Sequence, residues 1–418
     1  MSPYLVLAYG SRLIAQSFIM YIKRKQFIQV GSLATASVML PKFLKAFENN
    51  AMVPAGNKVV VILQLSGGND GLNTVIPLRN DLYYKARPGI GIEKTKALSL
   101  GDETGLHPAL TAFKEIYDDG GLGIINSVGY PNPDRSHFRS MDIWHTACQS
   151  NEYLSSGWVG RYLDAQCHGC DKPTQAIEID DVLSLAMKGN TMNGIALKDP
   201  RRLYGTANEK FFRDVLKSRT VETGEQSVDY LYKTMAQTLS SADYIFKQSR
   251  LHPSSANYPN TELGKSLKTI ASLIFSDINT KIYYVSLGSF DTHIYQSVQQ
   301  QRLFTELNDA VRCFVKDLKS NNRFDDVLLF TFSEFGRRVS QNASGGTDHG
   351  TANNMFMVSG GLKKKGLINA MPDLSDLDSG DLKYKVDFKN IYATVLSKWL
   401  NADAATILSG NYDSMNFI

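Results

Sequence analysis

Lys58-Val-Val-Val-Ile-Leu-Gln-Leu65, running directly into Ser66-Gly-Gly-Asn-Asp70-Gly-Leu-Asn-Thr74, is the stretch that decides the fold. A strand with one wet face alternates apolar and polar residues, whereas this run is almost continuously apolar and β-branched. It therefore predicts a central strand buried on both faces, as in a parallel sheet covered by helices. The turn that follows is rich in Gly, Asn and Asp, residues that bend the chain sharply, and it carries Asp70 away from the strand end.

Outward from this strand the pattern alternates. Leu122–Val128, Gln175–Ile179, Lys281–Leu287, Val327–Phe332 and Met355–Val358 read as further strands. Between them, Leu263, Leu267, Ile270 and Ile274, and then Phe304, Leu307, Val311, Phe314 and Leu318, recur at three- and four-residue spacings, the apolar stripe of a helix. Asn260 and Thr261 after Pro259 supply a start signal for the first of these. Met141–Cys148 is helix-like, and Val386–Leu400 reads as an amphipathic helix preceded by a cap. The expected fold is α/β, with a mostly parallel central sheet and helices on both faces, extending from about residue 57 to 418. Residues 185–255 are polar and helical in pattern and are expected as an insertion packed on the sheet.

With 418 residues, 43% hydrophobic and 21% charged, the chain can bury a large core. A net charge of +4 with scattered basic residues gives no footprint for nucleic acid, and the run Lys363 to Lys365 reads as a solvated turn. Four cysteines do not make a disulfide scaffold. Cys167-His-Gly-Cys170 has metal or redox spacing but lacks a second pair, so it reads as a local disulfide or two idle thiols. Residues 1–56 read as an export signal and linker. Lys23-Arg-Lys-Gln-Phe27 leads into the weakly apolar Ile28–Leu40, resembling a twin-arginine signal in which Arg24-Lys25 replaces Arg-Arg. Translation is expected to begin at Met20, and the mature protein to be periplasmic or extracellular without a stable membrane span. The competing reading makes residues 4–22 part of a membrane anchor.

In open α/β sheets ligands bind beyond the carboxyl ends of the strands. Polar residues recur there: Asp70 after the first strand, Asp291-Thr-His293 after Lys281–Leu287, Glu334 with Arg337 and Arg338 after Val327–Phe332, and Asp348-His349 just before Met355–Val358. With only 7 histidines in the chain, two beside carboxylates in glycine-rich turns point to a metal or polyanion site. Ser136 precedes a helix-like segment, where backbone N–H groups bind oxyanions, and Arg135 beside it can clamp an anion. Ser136 also reads as a plain N-cap, and His137 as a metal ligand or a base. His107 reads as a structural histidine and Trp158 as a packing anchor.

Seven motifs together, Ser66–Thr74, Gly105-Leu-His-Pro-Ala-Leu110, Arg135-Ser-His-Phe138, Gly157-Trp-Val-Gly160, Phe290-Asp-Thr-His293, Ser333-Glu-Phe-Gly-Arg337 and Gly345-Gly-Thr-Asp-His-Gly350, resemble the exported bacterial family catalogued as domain of unknown function 1501. That family is placed in the alkaline-phosphatase and sulfatase superfamily. The resemblance implies that superfamily's fold and a divalent metal, Zn, Mn, Mg or Ca, bound by Asp70, Asp291, His293, Glu334, Asp348 and His349. His349 is assigned as the superfamily's last histidine and Glu334 as the start of its Asp-His pair, with Phe335 where the pair's histidine would stand. With Phe335 there, the second metal position implied by the resemblance has no imidazole from this pair. The sulfatase motif that matures to formylglycine is absent, which favours phosphate esters. The implied function is an exported metal-dependent hydrolase of phosphate or sulfate esters of a small molecule or glycan, with Ser136 and Arg135 catalytic. The alternative is a degenerate member that binds or assembles without catalysis.

Overall fold

The computed structural model describes residues 57–166, 174–217, 238–239 and 241–418. Residues 1–56, where an export signal is expected, Cys167–Cys170 and part of the 185–255 region lie outside these residues. A nine-stranded sheet forms the centre. Its strands are β1 (Val59–Leu65), β2 (Leu122–Gly129), β3 (Ala176–Glu178), β4 (Ile195–Ala196), β5 (Ile282–Leu287), β6 (Val327–Phe332), β7 (Asn353–Val358), β8 (Gly366–Leu367) and β9 (Val386–Asp387). They lie in the order β8-β2-β7-β6-β1-β5-β3-β4, with β9 also paired to β2. Every pairing is parallel except those of β7, which runs against both β2 and β6.

All seven residues of β1 are buried, and their alternation divides them between two cores. Val59, Val61, Leu63 and Leu65 pack with α1 (Thr111–Asp118), α4 (Glu262–Phe275) and α5 (Gln296–Ser320). Val60 and Ile62 pack with α2 (His137–Thr146), α3 (Trp158–Gln166) and α6 (Phe388–Thr394). Helices thus cover both faces, as expected of a strand without a polar side. Thr261 caps α4 by accepting the Gly264 N–H at 3.1 Å. Asp387 caps α6, which continues as a π-helical turn over Val395–Trp399.

Four features differ from the sequence expectation. The direction of β7 is reversed, and α2 starts at His137 rather than near Met141. Within 185–255 a two-residue strand, β4, extends the sheet edge beside helices Pro200–Ala207 and Lys210–Lys217. A small antiparallel sheet of Val75–Pro77, Leu98–Ser99 and Thr104–Leu106 was also not foreseen, its strands being too short to show periodicity. Trp144 fixes α2 to the sheet: its ring stacks on Phe332 and Phe388 with centroids 5.1 and 4.2 Å apart, and its Nε1–H donates to the Glu334 carbonyl at 2.8 Å. Trp158, buried, stacks on Tyr392. Among the described residues no helix is long and apolar enough to cross a membrane.

Candidate metal centre

The reversal of β7 explains how the site assembles. His349 precedes its strand, yet the start of an antiparallel strand lies at the same sheet edge as the ends of β1, β2, β5 and β6. Loops leaving those ends carry Gly67, His137, Asp291 and Glu334 to that edge. Gly67 adopts φ 119°, and a Cβ there would stand 2.4 Å from the Asp291 backbone nitrogen. Gly68, at φ 78°, would collide with the Phe335 ring at 2.3 Å. Only glycine, with free positive φ and no side chain, lets the β1 turn pass between these two loops.

Asp291 is the centre of the cluster. Its Oδ1 lies 3.1 Å from both His293 Nε2 and His349 Nε2, and its Oδ2 lies 3.5 Å from His137 Nε2. The two nitrogens His293 Nε2 and His349 Nε2 face each other at 2.9 Å. One ligand atom each from His137, Asp291 and His349 falls within 4.8 Å of the others.

Behind each imidazole stands an oxygen. Glu334 Oε1 is 2.9 Å from His137 Nδ1, Asp348 Oδ1 is 3.2 Å from His293 Nδ1, and the Arg135 carbonyl is 2.8 Å from His349 Nδ1. An oxygen at Nδ1 leaves Nε2 as the ring nitrogen on the Asp291 side of each imidazole, and a cation there would take the Nε2 lone pairs, the arrangement that metal-binding histidines require. The fit is tested by one atom. His137 Nε2 is buried and, among the described residues, has no hydrogen-bond partner. Leaving a buried polar nitrogen unsatisfied costs about 1–3 kcal/mol, and a cation among these four residues removes that cost. The donor set, imidazole nitrogens with a carboxylate, suits zinc or another divalent transition ion.

Arg337 holds the loops around this point. It is buried, and its guanidinium donates to the carbonyls of Gly67, Gly68, Phe290 and Thr347 and to Asp291 Oδ1 at 2.7 Å. Burial alone raises the Asp291 carboxyl, but the hydrogen bonds from Arg337 and His349 outweigh it and leave the group lowered to about 2. His137 is held above the ordinary imidazole range by its hydrogen bond to Glu334, against the opposing effect of burial. Asp348 is held below the ordinary carboxylate range, chiefly by the Asn342 amide.

The other sequence candidates take different positions. Glu334 is buried and accepts from the Gly67 N–H at 2.8 Å as well as facing His137, so its carboxylate orients an imidazole. Asp348 likewise backs His293. Asp70 stands outside the cluster. Fully buried, it pairs with Arg87 at 2.5 Å, accepts from the Gln296 amide and caps the short helix Gly71–Thr74. A guanidinium thus supplies the positive charge that a metal was expected to supply. Phe335 packs its ring against His137 and His349, centroids 4.9 and 4.6 Å away. Ser136 is exposed at the start of α2 and its hydroxyl makes no capping bond there. The Arg135 side chain pairs with Asp381, and the group it sends to the cluster is its carbonyl. His107 is buried, accepts from the Ala109 N–H and is lowered to about 4 by burial, consistent with a structural role. Arg337 was visible only as a polar residue of the Ser-Glu-Phe-Gly-Arg motif, and Gln296 carried no signal.

Solved structures resemble this chain loosely. The lipoteichoic acid synthase LtaP from Listeria monocytogenes matches at TM-score 0.40 and 10% identity, over 93% of this chain and 81% of that one. The PsFucS1 sulfatase from Pseudoalteromonas sp. matches at TM-score 0.38 and 10% identity, over 93% and 74%. A protein in the alkaline phosphatase superfamily from Vibrio parahaemolyticus matches at TM-score 0.33 and 10% identity, over 93% and 78%. The fold assignment rests on strand order and direction. No curated protein matches the chain. The family described as protein of unknown function DUF1501 matches residues 125–413, which include most of β2 together with His137, Asp291, Glu334 and His349, and the chain belongs to that family.

Proposed function

We propose that the chain is an exported, divalent-metal-dependent hydrolase of phosphate or sulfate esters. The observation that carries this reading is the convergence of three imidazole Nε2 atoms on Asp291, each ring backed by an oxygen at its Nδ1. His137, His293, His349 and Asp291 are the residues that would hold the ion, with Glu334, Asp348 and the Arg135 carbonyl orienting them. A bound divalent ion supplies Lewis acidity toward an ester oxygen. Ser136 is the proposed nucleophile: its oxygen is exposed at the start of a ten-residue helix next to His137, where backbone N–H groups favour an anion. In that scheme Ser136 Oγ attacks phosphorus or sulfur, the alcohol departs with a proton, and water releases the anion from serine. Arg135, with 45% of its side chain exposed, adds positive charge beside that anion. Export is part of the proposal and rests on the basic and apolar pattern within residues 20–56.

The test combines metal content with turnover. Protein reconstituted with Zn, Mn, Mg or Ca is expected to bind one equivalent per chain and to hydrolyse aryl phosphate or aryl sulfate. Ser136→Ala should keep the metal and lose turnover by several orders of magnitude. A wild-type protein inert with every ion would overturn the catalytic reading. A second reading, a non-catalytic binding or assembly component, is favoured by one observation: Asp70 is neutralised by Arg87 and Phe335 offers no ligand, which removes the donors for a second ion.

A further inference from the structure

Beside the cluster lies an open cavity of ≈ 540 Å³ whose wall includes Tyr130, Arg135, Phe335, Asp381, Lys383 and Tyr384. It shares Arg135, Glu334 and Phe335 with the centre described above. One oxygen in that wall accepts no hydrogen bond from the described residues. The Asp381 side chain is 1% exposed; its Oδ2 is taken by Arg135, while Oδ1 faces Arg338 Nε at 3.4 Å and accepts no hydrogen bond from the described residues. A buried carboxylate oxygen left without a donor is costly, and it marks where a ligand donor belongs.

The charge balance narrows that donor. Two guanidinium groups already neutralise Asp381, so an ammonium placed at its Oδ1 would gain little from that carboxylate. A neutral hydroxyl matches what remains. Around it, the rings of Tyr130 and Tyr384 provide apolar surface; the Tyr130 hydroxyl is already bonded to Ser140 at 2.8 Å. The wall is mixed, with Asn132, Thr351 and Ser379 beside these rings, and such a combination of aromatic and hydrogen-bonding surface suits a hydroxyl-rich ligand. We propose that this cavity binds the alcohol part of the substrate, and that this part is a hydroxyl-rich neutral group of the sugar or polyol class, with Asp381 Oδ1 accepting one of its hydroxyls. The assignment of this group as the alcohol part rests on the ester-hydrolase reading; the binding of a neutral polyol in the cavity does not.

The experiment uses the full chain and two readouts. Free methyl hexopyranosides and glycerol are titrated by saturation-transfer NMR and calorimetry against wild type, Asp381→Asn and Tyr384→Ala. The ratio of kcat/KM for a hexose phosphate to that for phenyl phosphate is measured in parallel. Saturable sugar binding by wild type is expected, weakened about tenfold in Asp381→Asn, as exchanging a charged hydrogen-bond acceptor for a neutral one implies. The kcat/KM ratio should fall by a similar factor. If Asp381→Asn does not fold, Tyr384→Ala, at the exposed rim of the cavity, must show the weakening. Absence of binding by every sugar and polyol tried, or equal binding by wild type and the folded variants, would overturn the proposal. Sugar binding that depends on Asp381 in a protein that cleaves no ester would uphold the cavity and remove the hydrolase reading instead.

Discussion

His137 shows what one side chain needs in order to act as a ligand. Its Nδ1 is committed to Glu334, so Nε2 turns toward Asp291, and among the described residues that nitrogen makes no hydrogen bond. Removing the orienting carboxylate should therefore matter nearly as much as removing a ligand. Glu334→Gln is expected to weaken metal binding by about 10- to 100-fold, the usual effect of losing such a partner, and His349→Ala to abolish it. Both are read by competition with a chromophoric chelator, and wild-type affinity in either variant would remove that residue from the site. The pair Asp291 and His293 was legible in the sequence because two residues of spacing after a buried strand place both at one edge. Glu334 was visible as a site residue, but its role was not. An acid that faces inward to a histidine and one that faces a metal look the same in sequence. Asp70 was read as a ligand because nothing local announces Arg87, seventeen residues on, as its counter-ion.

At the level of elements, the strands were legible wherever burial on both faces removed the alternation, as in β1 and β6. Their directions were not, because a run of apolar residues is the same read from either end. Only the pairing of β7 with β2 and β6 shows that it runs backwards. Arg337 is what ties the loops of β1 and β5 to the segment preceding β7. Arg337→Ala leaves four carbonyls and a carboxylate without their donor, and is expected to destabilise the protein by about 3–5 kcal/mol. Urea denaturation is the check, and a loss below about 1 kcal/mol would mean the loops hold without it. Glu178, at the end of β3, makes a separate prediction. Burial raises its carboxyl from 4.5 to about 8, opposed by the Ser184 N–H that it accepts at 2.7 Å. A folded pKa above the unfolded one means stability that is complete below pH 4.5 and is lost as pH rises through about 8. Glu178→Gln keeps an acceptor for Ser184 and does not ionise. It should match wild type near pH 4.5 and exceed it increasingly toward pH 8. A difference that does not change with pH would show that Glu178 titrates normally.

Across the whole molecule, the site joins segments from four strand ends and from the start of a fifth, separated by more than two hundred residues between His137 and His349. Such a centre exists only in the folded chain, so metal bound before export would have to travel with a folded protein. The route that carries folded proteins is the one whose signals residues 23–40 resemble, with Arg24-Lys25 in the place of paired arginines ahead of a weakly apolar stretch. Fused to a reporter active only after twin-arginine transport, residues 20–56 are expected to direct export. Arg24→Gln with Lys25→Gln should stop it, because the basic pair is what the receptor reads. The same fusion placed behind a leader for unfolded chains should not rescue a reporter that folds before crossing. Equal export without the two charges would show that the segment is not this signal. Retention of the unmodified fusion in the cytoplasm would remove export from the proposed function while leaving the metal centre untouched, since no residue of that centre lies before Asn57.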